Sequence, residues 1–548
     1  MTARSGGRIL VDQLALNGVE QVFGVPGESY LAALDALVDV PGIRFVICRQ
    51  EGGAAMMADA NARLTGRPGI AFVTRGPGAT NASPAIHIAR QDSVPLILLV
   101  GQIDNGFRGR EAFQEVDYAA FFGPIAKWAV EVDRPERLPE IMHRAVATAM
   151  SGRPGPVVVG LPEDVLFAEA DVADARPAKV REAAPDPAAI AELHDRLGRA
   201  ERPFLLLGGG GWNDTGHADI RRFAETWRLP VGCTFRRQSL FDNEHSNYAG
   251  HVGLTVTPDL GRYLDEADLL LTVGSRMSEA SSDSYRRFPL QGGNGKALIH
   301  VHNDPSELGR VYQADLGIPA GVNATAHALA ALPGTNRPVW ADEAERLHAA
   351  FLVSGADSPD NPGPLQYGQV MRWLADRLPP DAIVCNGAGN YAIWVHRFLR
   401  YRGFRTQLAP TSGSMGYGTP AAVGAKLTHP DRLVVAFAGD GCFLMNGQEF
   451  ATAVQHEAPI IVIVVDNGQY GTIRMHQERD YPGRVSGTRL LNPDFAALAR
   501  AYGGHGETVA ATDDFAPAFE RCVESGRPAI IHLHLDGRTI TPDRFLDA

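Results

Sequence analysis

Two residues whose types suit metal chemistry, Asp440 and Asn467, stand 27 positions apart, each at the end of an apolar run. The first lies in Ala438-Gly439-Asp440-Gly441-Cys442 and the second in Asp466-Asn467-Gly468-Gln469-Tyr470-Gly471-Thr472. A carboxylate and an amide oxygen are hard ligands for Mg²⁺, and flanking glycines let backbone amides approach a diphosphate. A lone Gly-Asp-Gly is also an ordinary turn; the second, similarly punctuated element makes the pair a metal-diphosphate candidate. Glu51, in Cys48-Arg49-Gln50-Glu51-Gly52-Gly53, opens a helix of small apolar residues, a place a carboxylate also takes as a partner of the helix dipole. Glu28, after Pro26-Gly27, has the same two readings.

These groups need elements to hold them. Short β-rich runs alternate with amphipathic stretches throughout, the pattern of parallel sheets covered by helices on both faces. Strands are predicted over 45–48, 70–74, 96–100 and 157–160, then near 203–207, 269–273 and 298–302, and finally over 382–385, 433–438, 460–465 and 529–535. A helix is predicted over 420–426. The expectation is a three-domain α/β chain with doubly wound, mostly parallel sheets: 1–170, a Rossmann-like middle domain 188–335, and 360–548. An Ala/Pro-rich linker is expected over 171–189, and the Gly208–Gly211 run lacks the ordered glycine spacing of a dinucleotide fold.

The 548 residues are too many for one core, and 45% apolar with 21% charged residues is an ordinary globular composition. A net charge of −12, from 63 acidic and 51 basic residues without long runs of either sign, argues against nucleic acid as a partner. No stretch is apolar enough for a membrane span and residues 1–7 lack the core of a secretory signal, so a cytoplasmic location is expected. Five scattered cysteines without a C-x-x-C pair are expected to be reduced.

With its Gly-Asp-Gly and its Asn at that spacing, the chain resembles the thiamine-diphosphate-dependent enzymes. The resemblance implies that Asp440, Asn467 and the main-chain carbonyl of Gln469 hold Mg²⁺. Around the diphosphate it implies Gly439, Gly441, Cys442, Tyr470, Gly471 and Thr472, with Gly389, Asn390 and Tyr391 from a second loop, Gly387–Tyr391. Asp466 departs from the family's usual pair of asparagines. Glu51 is then the carboxylate on the pyrimidine ring nitrogen of the cofactor. In Ser412-Gly413-Ser414-Met415-Gly416, Met415 is the apolar wedge between the two rings and the Gly413 carbonyl accepts from the exocyclic amine, with Ser414 between them. Family active sites form between subunits, so the resemblance implies a homodimer at minimum and a homotetramer as the expected assembly.

Within that family the chain is similar to acetolactate synthases and related 2-oxo acid carboligases, through Gly101-Gln102, Glu111-Ala112-Phe113-Gln114-Glu115-Val116-Asp117 and Met445-Asn446-Gly447-Gln448-Glu449. Phe113 and Gln114 are expected along the substrate channel. The implied reaction removes CO₂ from a 2-oxo acid such as pyruvate and joins the remainder to a second carbonyl compound. Some residues depart from the pattern. Glu28 stands where the synthases have a small residue, and as a proton donor it would make a decarboxylase that releases an aldehyde. The absence of a carboxylate at Ile473 argues against that alternative, while Thr472 stands in place of the synthases' usual Met and His476 in place of a Trp that selects the larger acceptor. Arg276 is all that remains of the family's FAD-holding motif, which leaves FAD open. A distant alternative is a non-catalytic nucleotide-binding protein.

Overall fold

Runs of Val, Ile and Leu that are buried on both faces become parallel strands, because helices must cover each side. The computed structural model describes residues 2–291, 293, 295–335 and 338–546, which form three α/β units, each around a six-stranded sheet. The first has β1 (Gln21–Gly24), β2 (Arg44–Ile47), β3 (Gly69–Val73), β4 (Leu96–Gln102), β5 (Trp128–Glu131) and β6 (Pro156–Pro162), in the order β2-β1-β3-β4-β6-β5. The second has β7 (Pro203–Leu207), β8 (Val231–Thr234), β9 (Tyr248–Val252), β10 (Leu269–Val273), β11 (Ala297–His302) and β12 (Leu316–Pro319), ordered β9-β8-β7-β10-β11-β12. The third has β13 (Ile383–Asn386), β14 (Gln407–Leu408), β15 (Val434–Gly439), β16 (Ile461–Asp466), β17 (His505–Val509) and β18 (Ala529–His534), ordered β14-β13-β15-β16-β18-β17. The first and third units therefore share one strand order, and the middle unit has the Rossmann order.

All the strands expected from the sequence are present within a residue or two of their ends. Those not expected include the edge strands β5 and β17, whose side chains are mostly half-buried and so lack a strong apolar signal. The linker expected over 171–189 is shorter: helix Pro187–Arg199 begins inside it. Pro187 suits a first helical position and Asp186 caps the helix, its Oδ1 accepting from Ala188 N at 3.0 Å. The helix expected over 420–426 spans Gly418–Thr428.

Helix Glu51–Thr65 of the first unit packs against helix Gly418–Thr428 of the third, and the two units share one continuous apolar cluster. The approach is close enough that a Cβ on Gly424 would lie 2.6 Å from Met57 O. One buried carboxylate joins all three units. Asp92 of the first accepts from Arg63 of its own unit (2.5 Å), from Arg237 of the second (3.0 Å) and from Thr411 of the third, through N at 3.1 Å and also through Oγ1. Burial alone would raise its pKa, but Arg63 and Arg237 hold it down at about 2. The five cysteines are buried and unpaired. No helix among the described residues is long and apolar enough to cross a membrane.

Candidate active site

In a doubly wound sheet, ligands collect where the strand order reverses, at the carboxyl ends of the strands. In the third unit that point lies between β13 and β15. Gly439 of β15 pairs with Val465 of β16, so Asp440 and Asp466 leave neighbouring strands side by side and Asn467 follows one residue later. Loop Gly387–Tyr391 leaves β13 on the other side. A cavity of about 240 Å³ at this point is lined by Gly389, Asn390 and Tyr391, by Gly439 to Cys442, and by Asn467 and Gln469 to Thr472, together with Gly413 and Met415. Ser414, expected with them, is not part of the lining; its Oγ turns to the main-chain oxygen of Met415 (3.2 Å).

Three helices start at this cavity, Tyr391–Phe398, Asp440–Phe443 and Gly471–Asp480; the residue before each start makes no side-chain cap, although Gly441 N of the second donates to Asp440 Oδ1 at 2.9 Å. Helix starts that converge from three sides suit a diphosphate. Side chains join the loops: Tyr391 OH accepts from Gly387 N (3.0 Å), Cys442 Sγ accepts from Gly416 N (3.3 Å), and Thr472 Oγ1 donates to Asn390 Oδ1 (2.9 Å).

The donor set fits a hard cation. Asp440 is buried, and that burial raises its pKa to about 6. The ladder bonds beside Gln469, Tyr470 N to Thr488 O and Leu490 N to Gly468 O (both 2.8 Å), do not use the Gln469 carbonyl. Asn492, a residue to which no sequence signal pointed, donates Nδ2 to Asp440 Oδ2 (2.7 Å) and to Asp466 Oδ1 (2.8 Å), while its Oδ1 is buried without a partner. Asp466 has a partner of its own in His532, whose Nε2 lies 2.9 Å from Oδ2. Burial would raise the Asp466 pKa, but the bonds from His532, Gly468 and Asn492 hold it below the usual range.

Among the described residues, none of the first unit lines this cavity. The remaining site residues gather at the equivalent switch point of the first sheet, around the segment 74–81 that follows β3. Glu51 Oε2 accepts from Asn81 Nδ2 at 3.0 Å. Glu28 Oε1 accepts from Arg75 Nη2 at 3.1 Å, and Arg75 also donates to Glu163 at 2.9 Å. Gly76, at φ +54°, lies against Gln114, itself at φ +65°: a Cβ on the glycine would be 2.8 Å from the Gln114 Cβ. Tyr118 OH accepts from Gly76 N (3.0 Å), and Gln102 Nε2 holds Val116 O (2.8 Å), so the 113–117 loop stands over segment 74–81. Phe113 is 71% exposed.

A larger cavity of about 1080 Å³ lies between the second and third units, beside the first. It shares Gly389, Asn390, Gly413 and Thr472 with that cavity and is lined also by His476 and Arg276. Arg276 donates Nη2 to the main-chain and side-chain oxygens of Gln91 (3.1 and 3.0 Å).

Three family models match the chain: the N-terminal TPP binding domain of thiamine pyrophosphate enzymes over residues 4–121, their central domain over 190–329 and their C-terminal TPP binding domain over 387–533. The acetolactate synthase isozyme 2 large subunit of Escherichia coli is 32% identical over 97% of this chain and 96% of its own length. The acetolactate synthase large subunit of Corynebacterium glutamicum is 34% identical over 96% of this chain and 86% of its own. A probable acetolactate synthase large subunit of Methanocaldococcus jannaschii is 31% identical over 98% and 93%. With a glycine-lined cavity beside a buried carboxylate, and with relatives matched along nearly its whole length, the chain belongs to the thiamine pyrophosphate enzymes.

Proposed function

We propose that the protein is a thiamine-diphosphate- and Mg²⁺-dependent carboligase of the acetolactate synthase kind, which decarboxylates a 2-oxo acid such as pyruvate and joins the remainder to a second carbonyl compound. The observation that carries the reading is the switch-point cavity, where oxygen ligands and three helix starts meet. When bound, thiamine diphosphate supplies the nucleophilic carbon and the electron sink for loss of CO₂. Asp440, Asn467 and the Gln469 carbonyl would hold the Mg²⁺, and the glycine-flanked backbone around Gly389, Gly441 and Gly471 would take the diphosphate. Met415 would be the apolar wedge against the cofactor and the Gly413 carbonyl would be an acceptor for its amine. Glu51, steadied by Asn81, would be the carboxylate that exchanges a proton with the pyrimidine ring nitrogen.

Phe113 and Gln114 form a wall of the substrate channel, above the 74–81 segment. Glu28, with Arg75 as its cationic partner at 3.1 Å, stands at the same switch point as Glu51. In this reading residues 1–170 bind the pyrimidine end and residues 360–548 the diphosphate end, with 188–335 between them. Because the diphosphate cavity has no first-unit lining, Glu51 comes from a second copy, in a homodimer at minimum and a homotetramer as the full assembly, acting in the cytoplasm. Incubation with pyruvate, thiamine diphosphate and Mg²⁺, with products identified, tests the reading. Acetolactate is expected; acetaldehyde as the main product would move the assignment to a decarboxylase, and no CO₂ from any of a panel of 2-oxo acids would overturn it.

A further inference from the structure

Glu449 is a buried carboxylate to which the reaction above gives no task. It opens helix Glu449–Gln455 of the third unit, yet its hydrogen bonds cross to the first. Oε1 accepts from Arg49 N (3.1 Å) and Gln50 N (2.8 Å), and Oε2 accepts from Thr452 Oγ1 (2.6 Å). Those amides immediately precede Glu51. Gln50 is the N-cap of helix Glu51–Thr65, its Oε1 accepting from Gly53 N at 2.9 Å. Gly53 allows the approach, since a Cβ there would lie 2.6 Å from Glu449 Oε1. Oxygen acceptors at the start of a helix pair with amides that have no partner within the helix. The residue that bears the activating carboxylate is therefore held twice, by Asn81 at its side chain and by Glu449 at the backbone before it.

We propose that Glu449 is a positioning residue for Glu51: its oxygens fix the Arg49–Gln50 backbone and thereby set where the Glu51 carboxylate stands. Only nine positions separate it from Asp440. The same short stretch thus borders the metal turn at one end and holds, at the other, the carboxylate that this chain lends to its partner. The inference rests on the thiamine-diphosphate reading of Glu51.

Two measurements test it: deuterium exchange at C2 of thiamine diphosphate bound to the full-length enzyme, and mass-spectrometric amide exchange over residues 47–53 in the cofactor-free protein. Glu449→Ala is expected to slow C2 exchange by about 10-fold or more, since misplacement of a reacting group by about 1 Å costs that much, and to remove the amide protection. Its affinity for thiamine diphosphate should stay within about 3-fold of the parent, because no diphosphate or metal contact is touched. Glu449→Gln keeps an oxygen toward both amides and turns its NH₂ to Thr452 Oγ1, which then accepts where it donated before, and should match the parent in both exchange measurements. Unchanged C2 exchange in Glu449→Ala overturns the proposal, as does a Glu449→Gln that is as slow as Glu449→Ala. Should the alanine variant fail to fold, Glu449→Asp, one methylene too short to reach both amides, is read by the same criteria. Glu51→Gln run in parallel separates the two ideas: if it too leaves C2 exchange unchanged, the thiamine reading of Glu51 fails; if it slows exchange and Glu449→Ala does not, only the positioning role fails.

Discussion

Burial pushes the Glu449 carboxyl up to about 7, and the hydrogen bonds from Thr452, Arg49 and Gln50 offset that only in part. The charged and titratable groups nearest to it are Arg49, whose Nη2 donates to Gln455 Oε1 at 2.5 Å, and the Cys48 thiol, which burial keeps protonated. The folded protein holds this proton in a pH range where an unfolded chain has lost it. The stability contributed by Glu449 is therefore complete below the unfolded value of 4.5 and is lost as pH rises through about 7. Glu449→Gln should accordingly be more stable than the parent at pH 8, by about 1–3 kcal/mol, and lose that advantage at pH 5. Urea unfolding at the two pH values checks this; an equal difference at both would contradict it. Asp440 and Asn467 were legible in the sequence because neighbouring parallel strands deliver their ends to one place. Asn492, which reaches Asp466 across 26 residues, and Glu449, which reaches Arg49 across 400, were not, because such contacts leave no local pattern.

At the scale of elements, the site depends on strand ends and helix starts that have no room for larger side chains. Gly441 opens the turn after β15, and a Cβ there would run into the Tyr470 ring of the Asn467–Tyr470 turn and come 3.2 Å from Leu490. Gly441→Ala should thus push apart the two turns proposed to hold the metal while leaving the sheet intact. Overpacking of this kind costs about 1–3 kcal/mol, so the dissociation constants for Mg²⁺ and thiamine diphosphate should rise by about 5- to 100-fold, read by calorimetry, with the melting temperature within a few degrees of the parent. Most internal strands were readable from their unbroken apolar runs, but the four-residue β1 and β8, although each lies between two neighbours, were not expected. β14 was not, since it has only two residues, and neither were β5 and β17 at the sheet edges, where half-buried side chains blur the pattern. The glycine loop 412–416 was visible as a loop, but its approach to the cavity depends on Thr411 being held by Asp92, 319 residues away in sequence.

At the scale of the whole molecule, the two switch points lie in different units, and the cavity around Asp440 has no lining from the unit that carries Glu51. If each complete site takes Glu51 from one chain and Asp440 from another, two inactive variants should rescue each other. Glu51→Gln and Asp440→Asn, unfolded and refolded together in equal amounts, should recover about a quarter of the parent activity: half of the dimers are mixed, and each mixed dimer has one intact site of two. No recovery, with mixed dimers shown to form, would place both residues in one chain's site. Asp92 has another consequence at this scale. With Arg63, Arg237 and Thr411 gathered on one buried carboxylate, the borders between the units are poor places to cut the protein. A first unit expressed alone would turn Asp92 and its surroundings toward water, and a second unit alone would carry Arg237 without its counter-charge. Dissection of this enzyme into working pieces therefore begins with redesign of that junction, and the linker over 171–186, although it is the obvious place to divide the chain, is not where the pieces are joined.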